Sequence, residues 1–530
     1  MAARERVMRA IAWRRQAAGD LGRRGRRTGL ILCSMVRRAC ATVQLPSRAE
    51  PTDLAQDGKI GYPASGMVSI EALARARIAR LDPRERRALY RAVEAAERAR
   101  ALFHRHRAGS GPVPHPIALT PFVVSRRLLP VLERLADLVH RFQAQAPRLY
   151  LDEVSDFRAL CPLGETSAAW LTDHRGPHPP WVLMIRPDVG LAGRDGRRAV
   201  RPVLFETNAT ALAGLYNHSS GVAILKGAVF PRVFTPAERR QLADPPDLLA
   251  LTFRWVMRAA RRLGHRRSLG VAFVEDRIPV DGYSELPRLV QAFTAQGVRA
   301  AHGAPHELRR ARGAVYLKDV RVDLVYRDLG YEDLGPPSAR YRRLAGFLDR
   351  LRRGAVLPGF AGEFGHKGLL EALTRPEYRR LFSSAERRFL GTCVPWTRVL
   401  SARFALDPEG SRVDLPEYAR RHARRLLIKP NVGSSGEGIL LGREAAPAHW
   451  EGRIARAIRE PGRWVVQEWR PGTPRTMVYL RNGVAHAGPC HASLGLFYAP
   501  GDLGLHCRVS RAPIVNVARG GALACAFLGP

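Results

Sequence analysis

A multidomain α/β (α+β) protein is what this sequence predicts, and three observations carry that expectation. Apolar residues recur at three- and four-residue spacing between Val68 and about Gln145, as in ALARARIARLDPRERRALYRAVEAAERARALFHR, the signature of amphipathic helices. Short apolar runs then take over, among them WVLMIR and PVLFETNA, split by the turn LAGRDGRR, as in a β-hairpin. Over residues 268–328 strand-like and helix-like runs alternate, the order that builds a small parallel sheet.

The chain of 530 residues has room for about two to four domains. Residues 1–66 read as a basic, disordered N-terminal arm: the first fifty hold twelve arginines against Glu5, Asp20 and Glu50. A transit-like segment has the same bias, and Met67 begins a cleaner sequence, as if translation started there. Residues 67–150 form the helical region. Residues 151–250 contain the hairpin. Residues 251–335 make the α/β subdomain, with SLGVAFVED as a strand, ELPRLVQAFTAQG as a helix ended by Gly297, and VRAA and VDLVYRD as further strands. Residues 336–530 are helical at 339–353 and 367–390. They then carry RRLLIKPNVGSSGEGILLG, a strand, a glycine-rich loop and a strand, followed by the strand-rich WVVQEW, TMVYLRNGVAHAG and APIVNVA. No internal repeat is evident.

The formal net charge of +38 invites a nucleic-acid reading. Only five of the 86 basic residues are lysines, however, and the arginines are strewn through helices and loops alike. A nucleic-acid face clusters its basic residues among aromatics, and aromatics make up only 7% of this chain. The pattern argues for a coding bias toward arginine and against nucleic acid as the main partner. It also gives each lysine weight, because an ammonium survives where a guanidinium will not serve. The seven cysteines are scattered and form no CxxC pair, which fits neither a disulfide framework nor a zinc site and suggests a reducing, cytoplasmic compartment. No apolar run reaches the roughly 18 residues of a membrane span.

Four constellations are candidates for chemistry. Lys429 precedes a loop containing Gly433, Ser434, Ser435, Gly436 and Gly438. Backbone N–H groups of such a loop can wrap an anion, with the lysine beside them. The loop is neither a Walker A sequence nor a dinucleotide fingerprint, since no Lys-Ser/Thr and no helix follows its glycines; on its own it could equally be a flexible hairpin turn. Arg186-Pro-Asp188 and Glu206-Thr-Asn208 sit at the ends of the two hairpin runs. Residues two apart in a strand face the same way, so Asp188, Glu206 and Asn208 can offer three oxygen ligands on one side. Hard oxygens suit Mg²⁺, with Arg186 as a charge clamp beside them; unrelated polar residues at a solvated hairpin end are the bland alternative. Gln467-Glu468-Trp469 follows a strand and precedes a turn, a place for a nucleotide base. Near the C-terminus Arg508, Arg511, Asn516 and the pair Gly520-Gly521 add little singly in so arginine-rich a chain.

Together, KPNVGSSGEGI, QEW and a separate D…ExN set resemble the ATP-grasp superfamily. The ExN element precedes the glycine loop by more than two hundred residues, an order similar to the circularly permuted branch typified by glutathionylspermidine synthase. RPDVGL…LFETNA, SLGVAFVED with VDLVYRDLGYEDL, and HKGLLEAL before the loop look like further parts of that branch, over about residues 150–525. The resemblance implies an ATP-grasp fold in permuted order. It implies a Mg²⁺-dependent, ADP-releasing carboxylate–amine ligase that forms an amide through an acyl phosphate. Lys367 and Lys429 would contact the ATP phosphates under the glycine loop; Gln467, Glu468 and Trp469 would form the adenine hinge; Asp188, Glu206 and Asn208 would hold the metal; Arg186 and Arg508 would be catalytic. Its partners would be a small-molecule or peptide carboxylate and an amine acceptor. The loop is NVGSSGEG rather than the GREG form of the synthase and no Cys/His amidase domain precedes it, which puts polyamine and glutathione in doubt as substrates. The rival readings are a nucleic-acid-binding basic protein and a degenerate ATP-grasp nucleotide-binding protein without ligase activity.

Overall fold

Asp82 opens the second helix by capping. Its carboxylate accepts from the N–H groups of Arg84 and Glu85, and Glu85 reaches back to the Asp82 N–H, satisfying donors that a helix start otherwise orphans. The helices α1 (Ile70–Arg80) and α2 (Pro83–Ala99) bury Ala74, Ile78, Leu89 and Val93, at the four-residue spacing seen in the sequence. The computed structural model describes residues 69–107, 111–152, 156–173, 184–193, 200–265, 269–275, 284–335, 344–433, 436–517 and 520–530. The expectations for the arm 1–66, the start at Met67, and Ser434 and Ser435 lie outside the described residues.

The helical pattern expected through Gln145 is interrupted by four short strands: β1 (Phe103–Arg107), β2 (Gly111–Pro114), β3 (Ile117–Ala118) and β4 (Phe122–Ser125). Pro112, Pro114 and Pro116 cannot continue a helix, and β3 finds its partners more than 350 residues away, at Tyr479 and Leu523. Local periodicity cannot register such a partner. Helix α3 (Leu129–Leu151) follows and buries Leu132, Leu135, Ala136, Val139 and Phe142 along one side.

The expected hairpin is β5 (Arg186–Ala192) and β6 (Arg201–Asn208), antiparallel. Its register pairs Asp188 with Glu206 but Val189 with Leu204, so Phe205 is an extra residue in β6. The α/β unit is a four-stranded sheet of β7 (Gly270–Val274), β8 (Arg299–Gly303), β9 (Leu324–Arg327) and β10 (Val356–Leu357), in the order β10-β9-β7-β8 and parallel throughout. Helix α4 (Leu286–Ala295) crosses from β7 to β8 and ends just before Gly297, whose φ of 79° is the left-handed turn that stops it. Phe273, Phe293, Tyr326 and Trp255 fill the core beside this sheet.

After α5 (Leu369–Thr374) come β11 (Thr397–Val399), the hairpin β12 (Phe404–Leu406) and β13 (Arg412–Asp414), then β14 (Leu426–Pro430), β15 (Leu440–Leu441) and β16 (Trp464–Glu468). Four of them form an antiparallel sheet in the order β11-β16-β14-β15, backed by Trp396, Trp450 and Trp464. The final strands are β17 (Arg475–Arg481), β18 (Val484–Ala499), β19 (Asp502–Ser510), β20 (Ala522–Ala524) and β21 (Ala526–Gly529). The largest sheet has seven strands in the order β17-β3-β20-β19-β18-β5-β6. Strand β17 also pairs with the first half of β18, so the sheet curls back on itself. In the expected strand APIVNVA, Ala512 to Val517 are instead irregular, between β19 and β20; Pro513 among them has no N–H to give a ladder.

Candidate functional site

Cross-strand register assembles the polar row on the large sheet. Arg186 pairs with Asn208 and Asp188 with Glu206, and residues opposite each other share a face. Arg186, Asp188, Glu206 and Asn208 therefore project from one side of the hairpin. Gly495 stands opposite Asp188 from β18, and Ser493 stands opposite Arg508 of β19. A Cβ at Gly495 would lie 2.9 Å from Arg186 Cδ and 3.1 Å from Asp188 Oδ1, so a glycine leaves the space in which these side chains meet. Arg186 Nε donates to Asp188 Oδ1 at 2.9 Å, and Arg508 Nη2 donates to Asp188 Oδ2 at 2.7 Å. Arg186 is also held by the Ala213 carbonyl at 2.7 Å. Asn208 donates from Nδ2 to the Arg186 carbonyl at 3.2 Å.

The two lysines enter from other elements. Lys429 lies on β14, opposite Val465, with Gln467 opposite Leu427, so Lys429 and Gln467 share a face. Lys429 Nζ donates to Gln467 Oε1 at 2.9 Å and to the carbonyl of the bulged Phe205 at 2.7 Å. A bulge frees a backbone carbonyl from its ladder, and here the ammonium takes it. Lys367 precedes α5; its Nζ donates to the Gly433 carbonyl at 2.9 Å and lies 3.4 Å from Glu206 Oε2. Asn431 ties the lysine-bearing segments together. Its backbone carbonyl accepts from the Lys367 N–H, its Oδ1 accepts from the Gly368 N–H, and its Nδ2 donates to the carbonyls of Leu160 and Gly462.

These groups border an open cleft of about 800 Å³. Asp188, Glu206, Lys429, Gln467 and Arg508 form its polar end, and Leu427, Ile439, Trp469 and Ile514 its apolar wall. Gly433, Gly436 and Gly438 have φ of 146°, 67° and 72°, values that only glycine adopts freely. Residues Pro513 to Asn516 close one side, and Ile514 lies so near Gly436 that a Cβ there would meet its Cγ2 at 2.6 Å.

Four cations therefore face two carboxylates. Burial pushes the Glu206 carboxyl up, but Lys367, Lys429, Arg508 and Arg186 outweigh it and hold Glu206 below its usual range. Burial pushes Lys429 down to about 7; Glu206 opposes this shift and Lys367 adds to it. Positive charge exceeds negative at the polar end, which favours a polyanion.

The sequence-predicted residues divide as follows. Asp188, Glu206, Lys429, Gly436, Gln467, Trp469 and Arg508 line the cleft. Arg186 bonds Asp188 and Lys367 stands beside Glu206, whereas Asn208 and Gly433 bond Arg186 and Lys367 and do not line the cleft. Glu468 turns away, its carboxylate 2.7 Å from Arg470 Nη2, while Gln467 spends its amide on Lys429 and on Thr397 Oγ1. Sequence reasoning passed over Asn431, Gly495, the Phe205 bulge and Glu285, whose carboxylate accepts from the N–H groups of Gly214, Tyr216 and Asn217 and pins the segment that holds Arg186. Asn431 alone had a signal, inside KPNVG. Among the described residues no cluster of three His, Cys, Asp or Glu side chains could hold a metal, and no helix is long and apolar enough to cross a membrane.

No family model and no curated protein matches the sequence. The chain is similar in structure to a glutathione synthetase-like effector from Globodera pallida, solved in apo form, at 12% identity and a TM-score of 0.56, over 84% of this chain and 98% of that one. A putative gamma-glutamylcysteine synthetase from Methylobacillus flagellatus is matched at 12% identity over 77% of this chain and 89% of that one, with a TM-score of 0.36. The first likeness is one of fold, and nearly the whole of the effector's fold is present here.

Proposed function

We propose that this chain is an ATP-dependent carboxylate–amine ligase with an ATP-grasp fold in permuted order. The parts at 151–250 and 336–530 would form the nucleotide cleft and 251–335 a separate α/β subdomain. One observation carries the reading: Lys367, Lys429, Arg186, Arg508, Glu206 and Asn208 come from distant segments of sequence and meet where a glycine loop borders a cleft. The likeness of fold to a glutathione synthetase-like effector supports it.

The donor chemistry fits a magnesium ion in part. Glu206 is half-buried, and Lys367 is the one cation within salt-bridge reach of it among the described residues; Asn208 adds a neutral oxygen. Hard oxygens of this kind, completed by phosphate and water, suit Mg²⁺. Asp188 fits less well, since Arg186 and Arg508 already occupy both its oxygens, and it is better read as the group that positions those arginines. A bound magnesium would supply charge neutralisation across the phosphate oxygens.

Phosphoryl transfer asks a protein for position and charge more than for covalent help. A substrate carboxylate oxygen bonds to the γ-phosphorus of ATP as the bond to ADP breaks, giving an acyl phosphate. Lys367 and Lys429 offset the charge on the phosphates, while Gly436, Ile439 and the 511–517 segment exclude water that would hydrolyse the intermediate. Arg186 and Arg508, braced by Asp188, face the acyl phosphate. The amine nitrogen then attacks the acyl carbon, phosphate leaves, and an amide remains. The test is Mg²⁺-dependent ADP release screened across pools of amino acids, peptides and amines. Lys429→Met should lower the rate about 10²–10³-fold, the usual loss when a preorganised charge at the transition state is removed. Unchanged turnover in the folded variant overturns the assignment.

A further inference from the structure

A second hollow, open to solvent and of about 570 Å³, lies between the segment after α5, strand β11 and the β12–β13 hairpin. It shares no lining residue with the nucleotide cleft. Thr397 on β11 accepts from Gln467 at the cleft. Arg398 is the next residue, so it faces the other side of that sheet. Four arginines, Arg375, Arg398, Arg403 and Arg412, line this cavity with two carboxylates, Glu371 and Glu377. Both acids are already engaged. Glu371 is 1% exposed and accepts from Arg403 Nη2 at 2.7 Å and from the Val399 N–H. Glu377 accepts from Arg375 at 2.9 Å.

Arg375 pairs with Asp156 as well, so four cations meet three anions, and Arg398 and Arg412 are the two guanidiniums left without a contact ion pair. Arg398 is 8% exposed and donates to the carbonyls of Thr397 at 2.8 Å and Leu406 at 3.0 Å. Its guanidinium also stands 5.2 Å from the centre of the Trp396 ring. Among the described residues no carboxylate comes within 4.0 Å of it. Arg412 likewise has no carboxylate that close; it lies 4.6 Å over the ring of Phe404. Exposed arginines mean little in a chain so rich in them. A nearly buried guanidinium that feels Glu371 and Glu377 only at a distance is different, because burying a charge without a contact partner is costly. Phe404 and Leu406, exposed at 58% and 41%, give the same cavity an apolar lip.

We propose that this cavity is a second binding site, one that takes a small organic dianion with a short apolar body. A phosphate monoester and a dicarboxylate share that chemistry: two negative charges for Arg398 and Arg412, and carbon to cover Phe404 and Leu406. Guanidinium forks bind both kinds of oxyanion.

Isothermal titration of the full chain with phenyl phosphate and, separately, with glutarate tests the site and distinguishes the two sources. Saturable binding of at least one probe is expected. It should weaken by at least about tenfold in Arg412→Gln, the loss of one charged hydrogen-bond donor, and persist in Lys429→Met, which alters only the other cleft. Arg398→Gln should abolish it; because Arg398 also braces two carbonyls and that variant could fail to fold, the exposed Arg412 keeps the test decisive. No saturable binding of either probe, an unchanged affinity in Arg412→Gln, or a loss in Lys429→Met overturns the proposal.

Discussion

Arg327 and Lys429 are cations buried to nearly the same degree, 1% and 3% exposed, but their surroundings differ in kind. Arg327 donates to the carbonyls of Pro358, Leu329 and Gly359 at 2.7, 2.5 and 2.9 Å, pairs with Glu363 at 2.8 Å, and lies 4.3 Å over the Tyr331 ring. Lys429 has one carbonyl and one side-chain amide, attraction to Glu206 partly offset by repulsion from Lys367, and a place on the wall of a cleft. The first cation is matched by its own chain and holds the β9 end against the segment at 358–363. The second keeps donor capacity in reserve beside open space, as an anion site requires.

This contrast can be broken by measurement. Arg327→Met should cost about 3–5 kcal/mol of stability, because Glu363 would be left buried with a lone charge. Chemical denaturation reads that loss, and Lys429→Met should show a much smaller one, since it orphans a carbonyl and an amide and leaves Glu206 still facing Lys367, Arg508 and Arg186. Equal losses would mean that Lys429 is as structural as Arg327.

A smaller effect is expected at Gly495. Gly495→Ala places a methyl against Arg186 and Asp188 and should cost about 1–3 kcal/mol by overpacking. The predicted ligase rate should fall further than stability does, because Arg186 loses its orientation. A change confined to the melting temperature would argue that the Arg186–Asp188 contact serves packing alone.

The smallest effect is a proton. Lys429, held at about 7, is mostly neutral at pH 8 in the folded chain but charged in the unfolded chain up to roughly 10.4. Across that window the unfolded state binds more protons, so the contribution of this group to stability rises with pH. Phosphate oxygens arriving beside Nζ reverse the depression. Titration of ATP at pH 8 in buffers of different ionisation enthalpy should therefore show uptake approaching one proton, absent in Lys429→Met. Binding without proton uptake would place the phosphates elsewhere.

What was legible in the sequence follows from distance along the chain. Lys429 and its glycines, or Glu206 and Asn208, are neighbours in sequence, so residue type and spacing reveal them together. The rarity of lysine makes Lys429 stand out beside its glycines, and Lys367, 3.4 Å from Glu206, is legible through the resemblance of HKGLLEAL. What escaped is made by long-range register. Phe205 becomes a bulge only because Val189 pairs with Leu204, and Gly495 matters only because Asp188 lies opposite. Strands β3 and β4 were hidden for the same reason, and the 511–517 segment, apolar enough for a strand, has no ladder to join. Arg398 is one arginine among many until its burial is seen.

The pairing of β3 with β20 and of β4 with β21 has a consequence for how the molecule is made. Leu523 joins Ile117, and Ala526 to Gly529 join Phe122 to Ser125. These contacts span some four hundred residues. A growing chain leaves the ribosome from its N-terminal end, and domains generally fold as they emerge. The four-stranded parallel sheet, closed between residues 270 and 357, can form early. The seven-stranded sheet cannot: its early strands wait, exposed, until residues 502–529 have been synthesised. Loop closure over such a span is slow, and during that interval β3 to β6 offer open edges to other chains. The cleft bordered by Asp188, Glu206 and Arg508 is thus among the last features to exist, because Arg508 and its strand must be in place first.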